Sequence, residues 1–257
     1  MGAPIVAQGG GLSLSDWRVV PRIAAMLVWL AMCVPAYYLS RLLRMPNRVP
    51  PAFLSGIARI AGIRVHTDGV PASGRRILIA NHVSWMDILV LARVSGAAFV
   101  AHDGLAGVGP LKWLCDMNDT VFIARSRRQT VGEQADSIRD ALDVSHTLVL
   151  FPEGTTANGH EMLPLKSALL SAIDPVPPGV SVQPVFMDYG PDAPAVCWVG
   201  DEPGLRNFLR IVAGRTPVAV TVRFLAPLSG DALDGRKAMT RAAQDVLDEA
   251  LDRSRAR

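Results

Sequence analysis

An α/β fold, its sheet covered on both faces by helices and preceded by a membrane-associated N-terminal helix, is predicted by three features of this sequence. Seven short runs rich in β-branched residues recur across residues 77–225, and stretches with helical spacing separate several of them. A 17-residue apolar segment with arginines on both sides precedes them all. Half of the residues are apolar and the mean hydropathy is +0.27, more than a purely soluble protein of 257 residues needs for one core.

The first element is the apolar segment 23–39, IAAMLVWLAMCVPAYYL. Its length is at the lower limit for crossing hydrocarbon. Pro35 is expected to kink it near its end, and Trp17, Tyr37 and Tyr38 suit the interfacial level. Arginines on both flanks leave two arrangements open, a full span and a segment dipping into one leaflet. Val34-Pro35-Ala36 loosely matches a signal-peptide cleavage site, but the preceding polar region is long and holds Asp16, so the intact segment is preferred as an anchor. Residues 1–50 carry a charge of +4 and the rest of the chain −1. A basic stripe over a folded body, which nucleic-acid binding requires, is therefore missing; arginines around apolar residues fit an anionic membrane surface. Three cysteines at wide spacings suggest neither a disulfide framework nor a zinc cluster. A reducing compartment is expected, at the cytoplasmic face of the inner membrane.

Pro46, Pro50 and Pro51 mark where the globular part begins. The expected organisation is an anchoring segment over 1–50, a catalytic domain over 51–230, and a C-terminal helix with a basic tail over 231–257. The strand candidates are ILIA (77–80), AFVA (98–101), TVFIA (120–124), TLVLF (147–151), VSVQPVFM (180–187), AVCWV (195–199) and VAVTVRFL (218–225). Helical spacing links Val131, Ala135, Ile138, Ala141 and Leu142, and again Leu163, Leu165, Leu169, Leu170 and Ile173. A closing helix is expected over 238–251, with the arginine-rich residues after it frayed.

Chemistry concentrates in NHVSWMD (81–87). If 77–80 is a buried strand, Asn81 and His82 fall at its carboxyl end, where such sheets place their sites. Within one helix His82 and Asp87 would stand about 140° apart and never meet. A helix starting near Ser84 instead lets His82 fold back from the turn onto the Asp87 carboxylate. That carboxylate would fix the imidazole tautomer and leave the other nitrogen as a base. No G-x-S-x-G elbow accompanies the pair, so a substrate hydroxyl is the expected nucleophile. The alternative is structural, with Ser84 and Asp87 forming a capping box and His82 a plain turn residue.

Further blocks bear on this choice. NHVSWMD matches the Asn-His-x-x-x-x-Asp signature of the glycerolipid acyltransferases, the family of 1-acylglycerol-3-phosphate acyltransferases. VFIARSRR (121–128), FPEGTTANG (151–159) and VQPVFM (182–187) resemble that family's second, third and fourth blocks, in order and spacing. The resemblance, spanning residues 64–228, implies a mixed, largely parallel sheet of the glycerol-phosphate acyltransferase kind. It implies His82 as general base and Asp87 as its orienting partner. Arg125 and Arg128 would hold an acidic head group through their guanidinium forks. Glu153, Gly154, Thr155 and Lys166 would complete the substrate site. No metal-ligand spacing is present and no bound cofactor is expected.

The implied reaction moves a fatty acyl group from acyl-CoA or acyl carrier protein to the free hydroxyl of a membrane lysolipid. 1-acylglycerol-3-phosphate is the leading acceptor and phosphatidic acid the product. Two positions depart from the pattern. Thr156 stands where enzymes of that acceptor usually carry Arg, and His102 where the family commonly has Lys. FPEGTT followed by LPLKSA resembles the branch with the lyso-ornithine-lipid acyltransferases, the alternative acceptor class. A thioesterase and a non-catalytic lipid-binding protein are the remaining rivals.

Overall fold

The computed structural model describes residues 17–46, 48–102, 109–117, 121–123 and 131–256. Strands β1 (Ile63–Asp68), β2 (Arg76–Ala80), β3 (Ala98–His102), β4 (Val121–Ile123), β5 (Thr147–Leu150), β6 (Ser181–Asp188) and β7 (Val218–Phe224) form one sheet. Their order is β1-β7-β6-β2-β5-β3-β4. All neighbours are parallel except β6 and β7, so the sheet is mixed and largely parallel, as expected. The carboxyl ends of β2, β5 and β6 consequently share one edge.

Side-chain alternation distributes the core to both faces. Leu78 and Ala80 join Ala58 of α2 (Val49–Ile60), Met86 and Val90 of α3 (Met86–Ser95), and neighbouring strands. Ile77 and Ile79 face the other way. They pack with Ile138 and Leu142 of α5 (Val131–Ser145) and with Met239, Ala243 and Leu247 of the last helix, α8 (Arg236–Arg255). Because helices cover both faces, the central strands RILIA and TLVL are continuous apolar runs. Edge strand β1 buries Ile63 and exposes Arg64, His66 and Asp68, polar groups that discourage further strand pairing. The remaining helices are α1 (Val19–Leu42), α4 (Gly109–Met117), α6 (Ala193–Val196) and α7 (Gly204–Ala213).

Four local expectations are corrected. AVCWV is not a strand; Pro194 fixes a helical φ and the short α6 forms there, followed by a loop. Leu163 to Ile173 is not one helix. Pro164 keeps its first part extended, and only Ser167–Ile173 coils, as a 3-10 helix. Pro50 and Pro51 stand in the first turn of α2, which needs no amide donors from them. β1 was missing from the strand candidates because Arg64 and His66 interrupt its apolar character. Residues 252–255 do not fray: α8 continues to Arg255, and Ser254 Oγ donates to Asp188 Oδ1 at 2.8 Å.

Helix α1 is long and apolar enough to cross a membrane, yet it is tied to the domain along its length. Arg22 donates to the carbonyls of Val212 and Gly214 at 2.7 and 2.8 Å, and Arg18 to that of Arg215. Further along, Trp29 donates to the Phe53 carbonyl at 3.1 Å, and Trp113 of α4 to Tyr38 Oη at 3.4 Å. Its buried positions, Val19, Met26, Cys33 and Ser40, recur every seven residues as one narrow seam. Leu27, Val28, Met32, Leu39 and Leu42 remain exposed. Gly56 of α2 permits this docking, because a Cβ there would stand 2.1 Å from the Trp29 indole nitrogen.

Candidate active site

At the end of β2, Asn81 clamps the sheet edge: its Oδ1 accepts from the Met187 amide at 2.6 Å and its Nδ2 donates to the Met187 carbonyl at 3.3 Å. This fixes the backbone that enters His82. Its amide donates to Glu153 Oε1 at 2.9 Å and its carbonyl accepts from the Ala157 amide at 2.7 Å. The chain then turns into α3, and His82 Nδ1 lies 2.9 Å from Asp87 Oδ2. The same oxygen accepts from the amides of Val83 at 2.7 Å and Ser84 at 3.0 Å. The back-reaching half of the expected capping box and the His–Asp pair are thus made by one carboxylate, while the reciprocal Ser84 cap is not formed: α3 has Trp85 as its N-cap, without a side-chain cap. Asp87 Oδ1 accepts from the Tyr189 hydroxyl at 2.7 Å. A carboxylate that accepts every contact places the imidazole hydrogen on Nδ1 and leaves Nε2 with its lone pair.

The imidazole stacks on Phe151, which follows β5, at 4.1 Å between centroids and 20° between planes. Phe99 of β3 lies parallel to Phe151 at 6.4 Å. These rings wall one side of a cleft of about 550 Å³ that opens at His82. Ile88 and Val100 add to the apolar lining; Gly154, Thr155 and Thr156 form a polar floor, and residues 198–202 a second wall that adjoins it.

That wall is braced from α7. Arg210 pairs one guanidinium edge, Nε and Nη2, with the two Glu202 oxygens at 3.0 and 2.9 Å, and donates to the carbonyls of Ala195 and Cys197. The Arg210 hydrogen bond holds the Glu202 carboxyl below the ordinary carboxylate range. Buried Asn207 donates to Glu202 and Cys197 and accepts from Trp85 Nε1 at 2.9 Å. Trp85 and α7 therefore serve the interior of the site: the stretch 205–212 turns Arg210 and Asn207 inward. Thr156 Oγ1 donates to the Trp198 carbonyl, tying floor to wall.

Of the residues expected in the site, His82 and Asp87 meet as described. Gly154 and Thr155 line the cleft. Gly154 has φ +69°, a conformation suited to glycine, and a Cβ there would approach Leu169 Cδ1 and Lys166 Nζ to 3.1 Å. The Lys166 ammonium accordingly stands beside the cleft floor, exposed to solvent. Glu153 does not reach the cleft; it is 1 % exposed and faces the underside of the His82 turn. Burial pushes its carboxyl up to about 7, against the lowering pull of the His82 and Leu163 amides, with Asp87 and Asp248 adding to the rise. Arg125 and Arg128 lie outside the described residues. Among the described residues no group of three or more His, Cys, Asp or Glu is arranged to hold a metal.

Tyr189 was not among the expected site residues. Its one signal was position, a polar aromatic just past the carboxyl end of a buried strand. The bracing role of Asn207 and Arg210 had no local signal.

Comparison with known proteins places this geometry. The acyltransferase family model matches residues 62–188, which hold the dyad, the cleft floor and β6. A lyso-ornithine lipid O-acyltransferase of Brucella abortus is 32 % identical over 248 residues, 89 % of this chain and 91 % of that protein. One from Rhizobium meliloti is 33 % identical over 77 % of this chain and 73 % of its own. A 1-acyl-sn-glycerol-3-phosphate acyltransferase of Neisseria gonorrhoeae is 32 % identical over 48 % of this chain and 46 % of its own. The crystal structure of the 1-acyl-sn-glycerophosphate acyltransferase from Thermotoga maritima has the same fold, with a TM-score of 0.61 at 19 % identity over 93 % of this chain and 98 % of that one. With a relative aligned over nine-tenths of both chains and the matched region enclosing the dyad, this chain belongs to the acyltransferase family.

Proposed function

We propose that this protein is an interfacial O-acyltransferase that moves a fatty acyl group from acyl-CoA or acyl carrier protein to the free hydroxyl of a lysolipid, with 1-acylglycerol-3-phosphate as acceptor and phosphatidic acid as product. The observation that carries the reading is the 2.9 Å contact between His82 Nδ1 and Asp87 at the mouth of a half-apolar cleft. His82 Nε2 takes the hydroxyl proton as the oxygen attacks the thioester carbonyl carbon. The tetrahedral oxyanion collapses, the C–S bond breaks, and the thiolate leaves with the proton from His82. Asp87 holds the ring and stabilises the transient imidazolium. The acyl chain lies against Ile88, Phe99, Val100 and Phe151, and the head group against Thr155, Gly154 and Lys166. Arg125 and Arg128 are proposed as further head-group ligands on the family resemblance alone. Glu153 acts on substrate indirectly, by holding the His82 amide.

The location follows from α1. Docked at both ends and in the middle, it lies along the domain with an apolar face outward, which suits burial in one leaflet at the cytoplasmic face of the inner membrane. A site at that surface need not extract its lipid against about 0.8 kcal/mol per methylene. Free thiols at Cys33 and Cys197 fit a reducing compartment.

A second acceptor, a lyso-ornithine lipid, is favoured by a specific observation: Thr156, in place of an arginine, spends its hydroxyl on the Trp198 carbonyl, and exposed Asp201 stands on the second wall. A head group with both carboxylate and ammonium suits Lys166 and Asp201 together. The test supplies the purified protein in vesicles with labelled acyl-CoA or acyl carrier protein and a panel of lysolipids. Transfer to the glycerophosphate acceptor that is abolished in His82→Ala is expected; transfer to the ornithine acceptor alone selects the second reading. Labelled free acid without acceptor would overturn both in favour of hydrolysis, and lipid binding without turnover would leave only a carrier.

A further inference from the structure

The Asp87 carboxylate is fully buried, and its two oxygens are treated unequally. Oδ2 serves His82 Nδ1 and the amides of Val83 and Ser84, whereas Oδ1 has the Tyr189 hydroxyl, 2.7 Å away. We propose that Tyr189 is a positioning residue of the dyad: by donating to Oδ1 it fixes the rotation of the carboxylate, so that Oδ2 stays on His82. This rests on the reading of His82 as the base.

The phenol is well placed for that task. Tyr189 is 3 % exposed and directly follows β6, whose last residue, Asp188, is pinned by Arg223 at 2.9 Å and by Ser254 at 2.8 Å. Asn81 ties the preceding Met187 to the end of β2. The hydroxyl is therefore held by the same sheet edge that holds His82. Burial, and then the neighbouring Asp87 charge, push the phenol well above its ordinary range, so it remains a donor. The titratable groups facing Asp87 are His82 from its own turn, Tyr189 from the end of β6, and Glu153 from the segment after β5.

Without the hydroxyl, a buried carboxylate oxygen is unpartnered. The carboxylate then binds the imidazolium more tightly and, held through Oδ2 alone, orients the ring less well. Tyr189→Phe keeps shape and packing. Measured with labelled acyl-CoA and the lysolipid the enzyme uses, it is expected to lower kcat roughly tenfold, a part of what a positioned base supplies. KM is expected to stay within about twofold, since the change leaves the cleft lining intact. The acidic limb of the kcat/KM profile moves to higher pH. In Asp87→Asn the same substitution adds nothing. Should the Phe variant fail to fold, 3-fluorotyrosine at this position, a stronger donor of nearly the same shape, is expected to move the limb to lower pH. A profile superimposable on the unmodified enzyme, or equal losses with and without Asp87, overturns the proposal. His82→Ala run alongside separates the failures: if it stays active, the base assignment is wrong, whereas an inactive His82→Ala beside an unaltered Tyr189→Phe removes only the role of Tyr189.

Discussion

The His82 turn and helix α1 are the two regions that define this molecule, and they are built on opposite principles. In the turn, each oxygen of Asp87 has a partner, and the partners come from the turn between β2 and α3 and from the residue that follows β6. In α1, one position in seven is fully buried, some neighbours are partly covered, and an apolar surface including Leu27, Val28, Met32 and Leu39 is left exposed. The first region is completed by protein and asks only for substrate at the cleft. The second leaves an apolar surface with flanking arginines uncovered, the face we propose for the bilayer. The proposed base is held by over-determined bonding, whereas the proposed attachment face is left uncommitted.

The comparison can be broken by separating the two functions. His82→Ala is expected to reduce acyl transfer at least a hundredfold, about 2.7 kcal/mol in barrier, with vesicle binding unchanged; a loss under threefold would end the base assignment. Leu39→Asp with Leu42→Asp, both on the exposed face of α1, should weaken sedimentation with anionic vesicles roughly tenfold or more while transfer to a short-chain, water-soluble acceptor persists. Equal binding by that double variant would mean the membrane is met elsewhere. Between the regions, Gly56→Ala sets a methyl against Trp29 and should cost about 1–3 kcal/mol of stability by overpacking, read as a lower midpoint in urea. An unchanged midpoint would show that α1 is not docked as described.

The smallest effect sharpens the description of the turn. Glu153 has a folded-state pKa of about 7, above the ordinary carboxylate value of 4.5. Folded protein therefore binds the extra proton between those values, and the stability so contributed is full below about 4.5 and lost as pH rises through about 7. Glu153→Gln keeps an acceptor for the His82 amide and removes the titration. Its melting temperature relative to the unmodified protein should rise between pH 5 and pH 8, by the equivalent of on the order of 1 kcal/mol. A pH-independent difference would show that Glu153 is not ionising within the fold.

Much of this was legible in the chain because it is local or periodic. The strands ILIA and TLVLF, helix α5, the apolar α1 and the meeting of His82 with Asp87 follow from patterns within a few residues. AVCWV misled because its β-branched character was outweighed by Pro194, and Leu163 to Ile173 because Pro164 halved a helical pattern. The inward turn of Arg210 was hidden because an arginine on an amphipathic stretch reads the same whether it faces lipid head groups or a glutamate eight residues away. Glu153 read as a substrate ligand since FPEG ends a strand at the right edge; its burial depends on how the turn folds beneath His82.

The amino-acid sequence by itself determined the α/β class, the apolar N-terminal helix, and a histidine and an aspartate spaced to meet across a helix start, since periodicity and short-range turn geometry need only neighbours along the chain. The tertiary structure decided that Tyr189 completes the Asp87 carboxylate, that Glu153 supports rather than lines the cleft, and that α1 lies along the domain. Each of those depends on groups tens to hundreds of residues apart being brought to one sheet edge or one helix face, and packing, not local propensity, fixes which buried polar atoms find each other.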